Sequence, residues 1–169
     1  GDMDVSVLSE KPKNRKPIIT LIKPDNKISE LWPFIKKEID LNRQVFWVCP
    51  LIDESKNVKY SSAVTKFNFI KNIFPGRVGL IHGNLNQMEK NKTLNSFLKK
   101  KINILVSTTV IEVGINFPDA NVMVIENSNK FGLSQLHQLR GRVGRGNIQS
   151  YCILFYNKNL SEKAKKRLK

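Results

Sequence analysis

Cysteine is scarce in this chain, with Cys49 and Cys152 the two among 169 residues. Both lie inside apolar runs, Phe46-Trp-Val-Cys and Tyr151-Cys-Ile-Leu-Phe, where a free thiol acts as a small hydrophobe. Two isolated cysteines and two histidines offer neither a disulfide framework nor zinc-ligand spacing. No metal site of the chain's own is expected, and a reducing, cytoplasmic setting fits. Long apolar runs are missing too: none approaches the roughly 20 residues of a membrane-spanning helix. The opening Gly1-Asp-Met-Asp lacks the basic and apolar regions of a signal peptide, so no membrane partner is expected.

Acidic residues are also few. Fourteen Asp and Glu face 29 Lys and Arg, a net charge of +15. Such a surface attracts polyanions, because each cation near a phosphate releases a condensed counterion. The accompanying wealth of Asn and Ile is a mark of biased codon usage, a second source for part of that charge. Two further absences bear on chemistry. There is no GxxxxGK[ST] phosphate loop and no acidic pair within a strand to hold magnesium, so one half of a nucleotide site is lacking.

What is present is a repeating pattern. Apolar, β-rich runs recur at Ile18 to Ile22, Val45 to Cys49, Val78 to Ile81, Ile102 to Val106, Val122 to Ile125 and Cys152 to Phe155. Their shortness and flanking charge, Pro, Gly or Asn predict strands buried on both faces. Between them, Ile28, Leu31, Trp32, Ile35 and Ile39 keep helical spacing, as do Val64, Phe67, Ile70 and Phe74, and less cleanly Met88, Leu94 and Leu98. Alternation of this kind implies an α/β fold with a mostly parallel sheet. Residues 1–16 carry no element, and the basic tail from Ser161 to Lys169 reads as a helix that begins near the cap Ser161-Glu162.

Ligands in parallel sheets gather beyond the carboxyl ends of the strands. That rule selects His82-Gly83-Asn84, Ser107-Thr108-Thr109, and the stretch from Glu126 into the next helix. His82 in isolation is more often a turn residue than a ligand. Ser107-Thr-Thr can serve as a helix cap, or as a phosphate cradle of hydroxyls and free N–H groups. Gly114, Asn116 and Pro118 would end the helix after it.

The segment Gln138-Leu-Arg-Gly-Arg-Val-Gly-Arg145 is the most specific signal. Arg140, Arg142 and Arg145 alternate with glycines, which permit close backbone approach, and guanidinium forks fit phosphate oxygens. On a helical turn Arg142 and Arg145 would project from one face. A flexible basic loop that binds RNA without specificity is the plainer alternative. The apolar spacing of Leu133, Leu136 and Leu139 argues for a packed helix beneath it. Arginines with no phosphate cradle of their own read as fingers that reach across to a second lobe.

These strings resemble known motifs. Thr108-Thr-Val-Ile-Glu-Val-Gly-Ile resembles helicase motif V, and Gln138 to Arg145 resembles motif VI of superfamily 2. The longer Gln135-Leu-His-Gln-Leu-Arg-Gly-Arg-Val-Gly-Arg-Gly146 resembles the RecG family of branch-migrating DNA helicases and also the transcription-repair coupling factors. Gly1-Asp-Met-Asp-Val-Ser-Val-Leu and Trp47-Val-Cys-Pro-Leu-Ile-Asp-Glu-Ser55 resemble the RecG family.

The resemblance implies a second RecA-like lobe over residues 17–158, a three-layer sandwich. It also implies a lead-in from a first lobe over 1–16 and the start of a helical hairpin over 159–169. ATP and Mg2+ would be held mainly by the first lobe, so this piece alone would be inactive. Arg142 and Arg145 would be arginine fingers. Gly114, Asn116 and Gln138 would border the nucleotide, with Asn116 uncharged where the family usually has Asp. Thr108, Thr109, His82 and Gly83 would touch DNA, and Glu112 and Arg140 would couple the two sites. The implied partners are branched duplex DNA (forks and Holliday junctions), the first lobe and a wedge domain, with the piece itself monomeric. The motor lobe of a transcription-repair coupling factor is the close rival reading, with a non-catalytic nucleic-acid-binding module and a protein-interaction scaffold as rivals of other classes.

Overall fold

The computed structural model describes residues 5–6, 17–50, 61–108, 120–141, 143–144 and 148–157. The six apolar runs are strands: β2 (Ile18–Pro24), β3 (Gln44–Val48), β4 (Val78–Ile81), β5 (Ile104–Ser107), β6 (Ala120–Ile125) and β7 (Tyr151–Tyr156). A two-residue strand, β1 (Val5–Ser6), adds to them inside the stretch where the sequence promised no element. The sheet runs in the order β1-β2-β7-β6-β3-β5-β4. Every pairing is parallel except β1 with β2.

The helices cover both faces, giving the RecA-like three-layer sandwich. Alternate residues of each strand point to opposite sides. Phe46 packs with Phe97 and Leu139 of helices α3 (Gln87–Leu98) and α4 (Leu133–Arg140). Trp47 packs on the other side with Ile35, Ile39 and Ile70 of α1 (Trp32–Asp40) and α2 (Ser61–Ile73). Ile35 and Ile70 are fully buried, each stabilising the fold by about 1.5–3 kcal/mol.

Burial on both faces holds for the central strands β3, β5 and β6, whose residues are all buried. It fails for β4, where Val78, Gly79 and Leu80 are half-buried because β4 is the last strand of the sheet. The periodic run from Ile28 to Ile39 divides into a 3-10 segment, Asp25–Leu31, and α1. Pro33 in the first turn of α1 explains the break: it lacks an N–H and would clash with a preceding helical turn. In α3 the core side is Leu94 and Phe97 rather than the expected Met88 and Leu98, which are 80% and 42% exposed. The helix start is fixed instead by a capping box, in which Asn86 Oδ1 accepts from Glu89 N and Glu89 Oε1 accepts from Asn86 N.

Candidate nucleotide and nucleic-acid interface

Parallel pairing puts the exits of β3, β4, β5 and β6 along one edge. Thr108 N donates to Ile81 O at 3.3 Å and Cys49 N to Ser107 O at 2.7 Å, so the turns after β4, β5 and β3 are stitched side by side. His82 and Thr108 therefore sit on adjacent strands, roughly 4.8 Å apart in the sheet direction. His82 Nδ1 accepts from Asn84 N at 3.1 Å, and His82 O accepts from Leu85 N at 3.2 Å. The imidazole is thus a turn residue whose ring proton, when neutral, lies on Nε2. Gly83 is exposed beside it. Thr108, beside it on the next strand, is 2% exposed.

The edge also carries a cluster that the sequence pattern missed. Trp47 Nε1 donates to Glu126 Oε2 at 2.6 Å, Cys49 Sγ lies 3.8 Å from the same oxygen, and Lys66 Nζ is 3.8 Å away. Lys66 stands over the rings of Trp47 and Phe69, and Trp32 stacks on Trp47 with centroids 5.4 Å apart. The available signal was the indole in an otherwise apolar strand. A buried Trp N–H needs an acceptor, and Glu126 is the charge that directly follows a buried strand.

The arginine segment does not stay at this edge. After β6 the chain turns at Asn127, forms the short 3-10 segment Ser128–Lys130, and descends through α4 toward the opposite end of the sheet. Leu139 and Val143 are buried in the core, while Gln138 is exposed. Gly144 has φ +73, and a Cβ there would collide with Ser150 Oγ and approach Ala120 O at the entrance of β6. The segment is therefore locked where β6 and β7 begin, not where they end. The helix stops at Arg140, with Gly141 as its C-cap. A left-handed Gly144 does not continue that helix, and the expectation of a shared helical face falls on Arg142 and Arg145. Both residues lie outside the described residues, as do Thr109, Glu112, Gly114 and Asn116.

Arg140 is buried, and its Nε has no hydrogen-bond partner. Its neighbour Cys152 is a free, buried thiol. Burial pushes that thiol up to about 12, against a smaller opposing pull from the Arg140 charge. A thiol held protonated in this way is inert, and both cysteines are buried within the apolar core, as expected from their runs. Thr20 Oγ1 is a second buried polar atom without a partner, on the strand position paired with Cys152. Among the described residues no group of three or more His, Cys, Asp or Glu could hold a metal ion. Nor is any described helix long and apolar enough to cross a membrane.

The described residues fix Val143 and Gly144, which lie between Arg142 and Arg145, at the entrance of β6 and β7. Residues 26–147 match the helicase conserved C-terminal domain. The chain is 47% identical, over its whole length, to the ATP-dependent DNA helicase RecG of Thermotoga maritima, of which it spans 22%. It is 46% identical to RecG of Bacillus subtilis and spans 25% of that protein. A solved structure of RecG bound to a three-way DNA junction superposes with a TM-score of 0.73 at 44% identity. That match covers 94% of this chain and 20% of the other. The chain therefore spans about a quarter or less of the relatives it matches, and it belongs to the helicase conserved C-terminal domain family.

Proposed function

We propose that this chain is the second motor lobe of an ATP-dependent DNA helicase that remodels branched DNA, such as stalled forks and Holliday junctions. The observation that carries the reading is the lock at Gly144. Left-handed Gly144, close against Ser150, and buried Val143 give the chain between Arg142 and Arg145 a fixed base. Rigid presentation is what an arginine finger requires, because preorganised charge at a transferring phosphoryl group lowers the barrier without reorganisation. The likeness to RecG, including RecG on a three-way junction, supports the choice of partner.

On this reading residues 17–158 form the lobe, 1–16 lead in from the first lobe, and 159–169 begin a following hairpin. ATP and Mg2+ are held mainly by that first lobe, in a cytoplasmic bacterial protein. Gln138, Gly114 and Asn116 border the nucleotide. His82, Gly83 and Thr109 face DNA, and Glu112 and Arg140 couple the two. Thr108 contributes through its backbone, since its side chain is buried. The direct test compares ATP turnover by this chain and by the full-length protein, each with and without a DNA junction. Turnover is expected from the full-length protein alone and stimulated by DNA; hydrolysis by the isolated lobe would overturn the split site.

A further inference from the structure

At the end of β3, β5 and β4 opposite His82, three turns lie side by side. They are Leu41–Arg43 before β3, Phe74–Arg77 before β4 and Lys99–Ile102 before β5. Fully buried Asn103 ties them together. Its Oδ1 accepts from Arg77 Nη1 at 2.8 Å, its N–H donates to Arg77 O at 2.9 Å, and its Nδ2 donates to Arg43 O at 3.2 Å. Its carbonyl accepts from Val45 N at 2.8 Å. The lysine turn is closed by its own backbone: Lys99 N bonds Asn95 O, Lys100 N bonds Phe97 O, and Lys101 N bonds Ser96 O.

The turns carry Arg43, Arg77, Lys99, Lys100 and Lys101 and contain no Asp or Glu. Lys99, Lys100, Lys101 and Arg77 are exposed, and Arg43 is held at 3.1 Å by buried Glu38. Lys100 has φ +61. That left-handed position after a helix is where Gly or Asn is the unstrained choice, yet it holds a cation. Two strand spacings set the width of the platform at roughly 10 Å. Over that distance one strand of B-DNA carries about three phosphates.

We propose that this edge is a second phosphate-binding surface, which holds the backbone of duplex DNA at the end of the strands opposite the His82–Thr108 edge. The proposal rests on the motor reading only for the identity of the polyanion. Exposed cations carried on a shared hydrogen-bonded backbone suit sequence-independent contact with a phosphate row, which needs charge and no base edge.

The test uses the full-length protein and its Lys99→Gln/Lys100→Gln/Lys101→Gln variant. The Kd for a three-way DNA junction is measured by fluorescence anisotropy across a salt series. The slope of log affinity against log salt should fall in magnitude by about 2 to 3, near one per lysine, with turnover at saturating DNA unchanged. A Lys100→Gly variant, freed of left-handed strain, should lose about one unit of slope with no loss of thermal stability. An unchanged slope would overturn the proposal, and so would a fall in turnover at saturating DNA, which would place the lysines in the motor. Absence of DNA-stimulated turnover in the unaltered protein would instead sink the motor reading and leave the slope comparison intact.

Discussion

The indole N–H of Trp47 is satisfied by a carboxylate 79 residues away, donating at 2.6 Å to Glu126 Oε2. The bond joins the exit of β3 to the exit of β6, and Lys66 from α2 closes on the same oxygen at 3.8 Å. Three elements of the carboxyl edge thus share one acceptor.

Removing that acceptor should cost more than a surface charge would. In Glu126→Ala the buried indole N–H loses its partner, and a buried donor left unsatisfied costs about 1–3 kcal/mol. Glu126→Gln keeps an acceptor oxygen and should lose less than half as much. Urea unfolding of the chain, followed by tryptophan fluorescence, measures both. Equal losses in the two variants would show that the charge pairing with Lys66, not the indole bond, is what stabilises the edge.

Gly144 and Gly76 form an internal control. Both are left-handed, at φ +73 and +76, but a Cβ at Gly144 meets Ser150 while one at Gly76 has nothing within 4 Å. Gly76→Ala should cost about 1–2 kcal/mol, the backbone penalty alone. Gly144→Ala adds overpacking, typically about 1–3 kcal/mol more. Denaturant midpoints of the two variants decide the matter; matching values would mean that the Ser150 contact yields freely.

Much of the fold was legible because burial on both faces writes short β-rich runs, and β3, β5 and β6 carry that mark plainly. The helix α3 was misread at Met88, since its start is fixed by the polar Asn86–Glu89 box and not by an apolar stripe. The left-handed turn at Gly144 was not legible, because a glycine in sequence allows a helical or a left-handed backbone alike, and the space that excludes a Cβ beside Ser150 exists only in the folded chain. The Glu126 cluster was harder to read: the Trp47 indole signals a need for an acceptor, but no local period names a partner that it meets only after the sheet has formed.

Cys152 supplies a pH prediction. Its ordinary value of 9.0 is raised to about 12 in the folded chain by burial, so between those values the folded state keeps a proton that the unfolded chain releases. Stability from this group is fully present below about pH 9 and declines as pH rises toward 12. At roughly 1.4 kcal/mol per unit, the whole window is worth at most about 4 kcal/mol. Other groups titrate there as well, so the readout is the difference between the unaltered chain and Cys152→Ala. The variant should lose stability less steeply above pH 9, and parallel curves would show that the thiol ionises without unfolding. Alkylation at pH 8 should leave Cys152 unmodified until the chain unfolds.

Arg142 tests the division of labour. Buried Leu139 and Val143, and Gly144 close against Ser150, hold the base beside Arg142 in place. In the full-length protein Arg142→Ala should lower DNA-stimulated ATP turnover by about three orders of magnitude or more, the scale of a lost arginine finger. Junction affinity in a gel shift should change less than threefold. Arg142→Lys should rescue little, because an ammonium cannot reproduce a planar fork on phosphate oxygens. If junction affinity fell in step with turnover, Arg142 would be holding DNA, and the nucleotide role would pass to Arg145 alone.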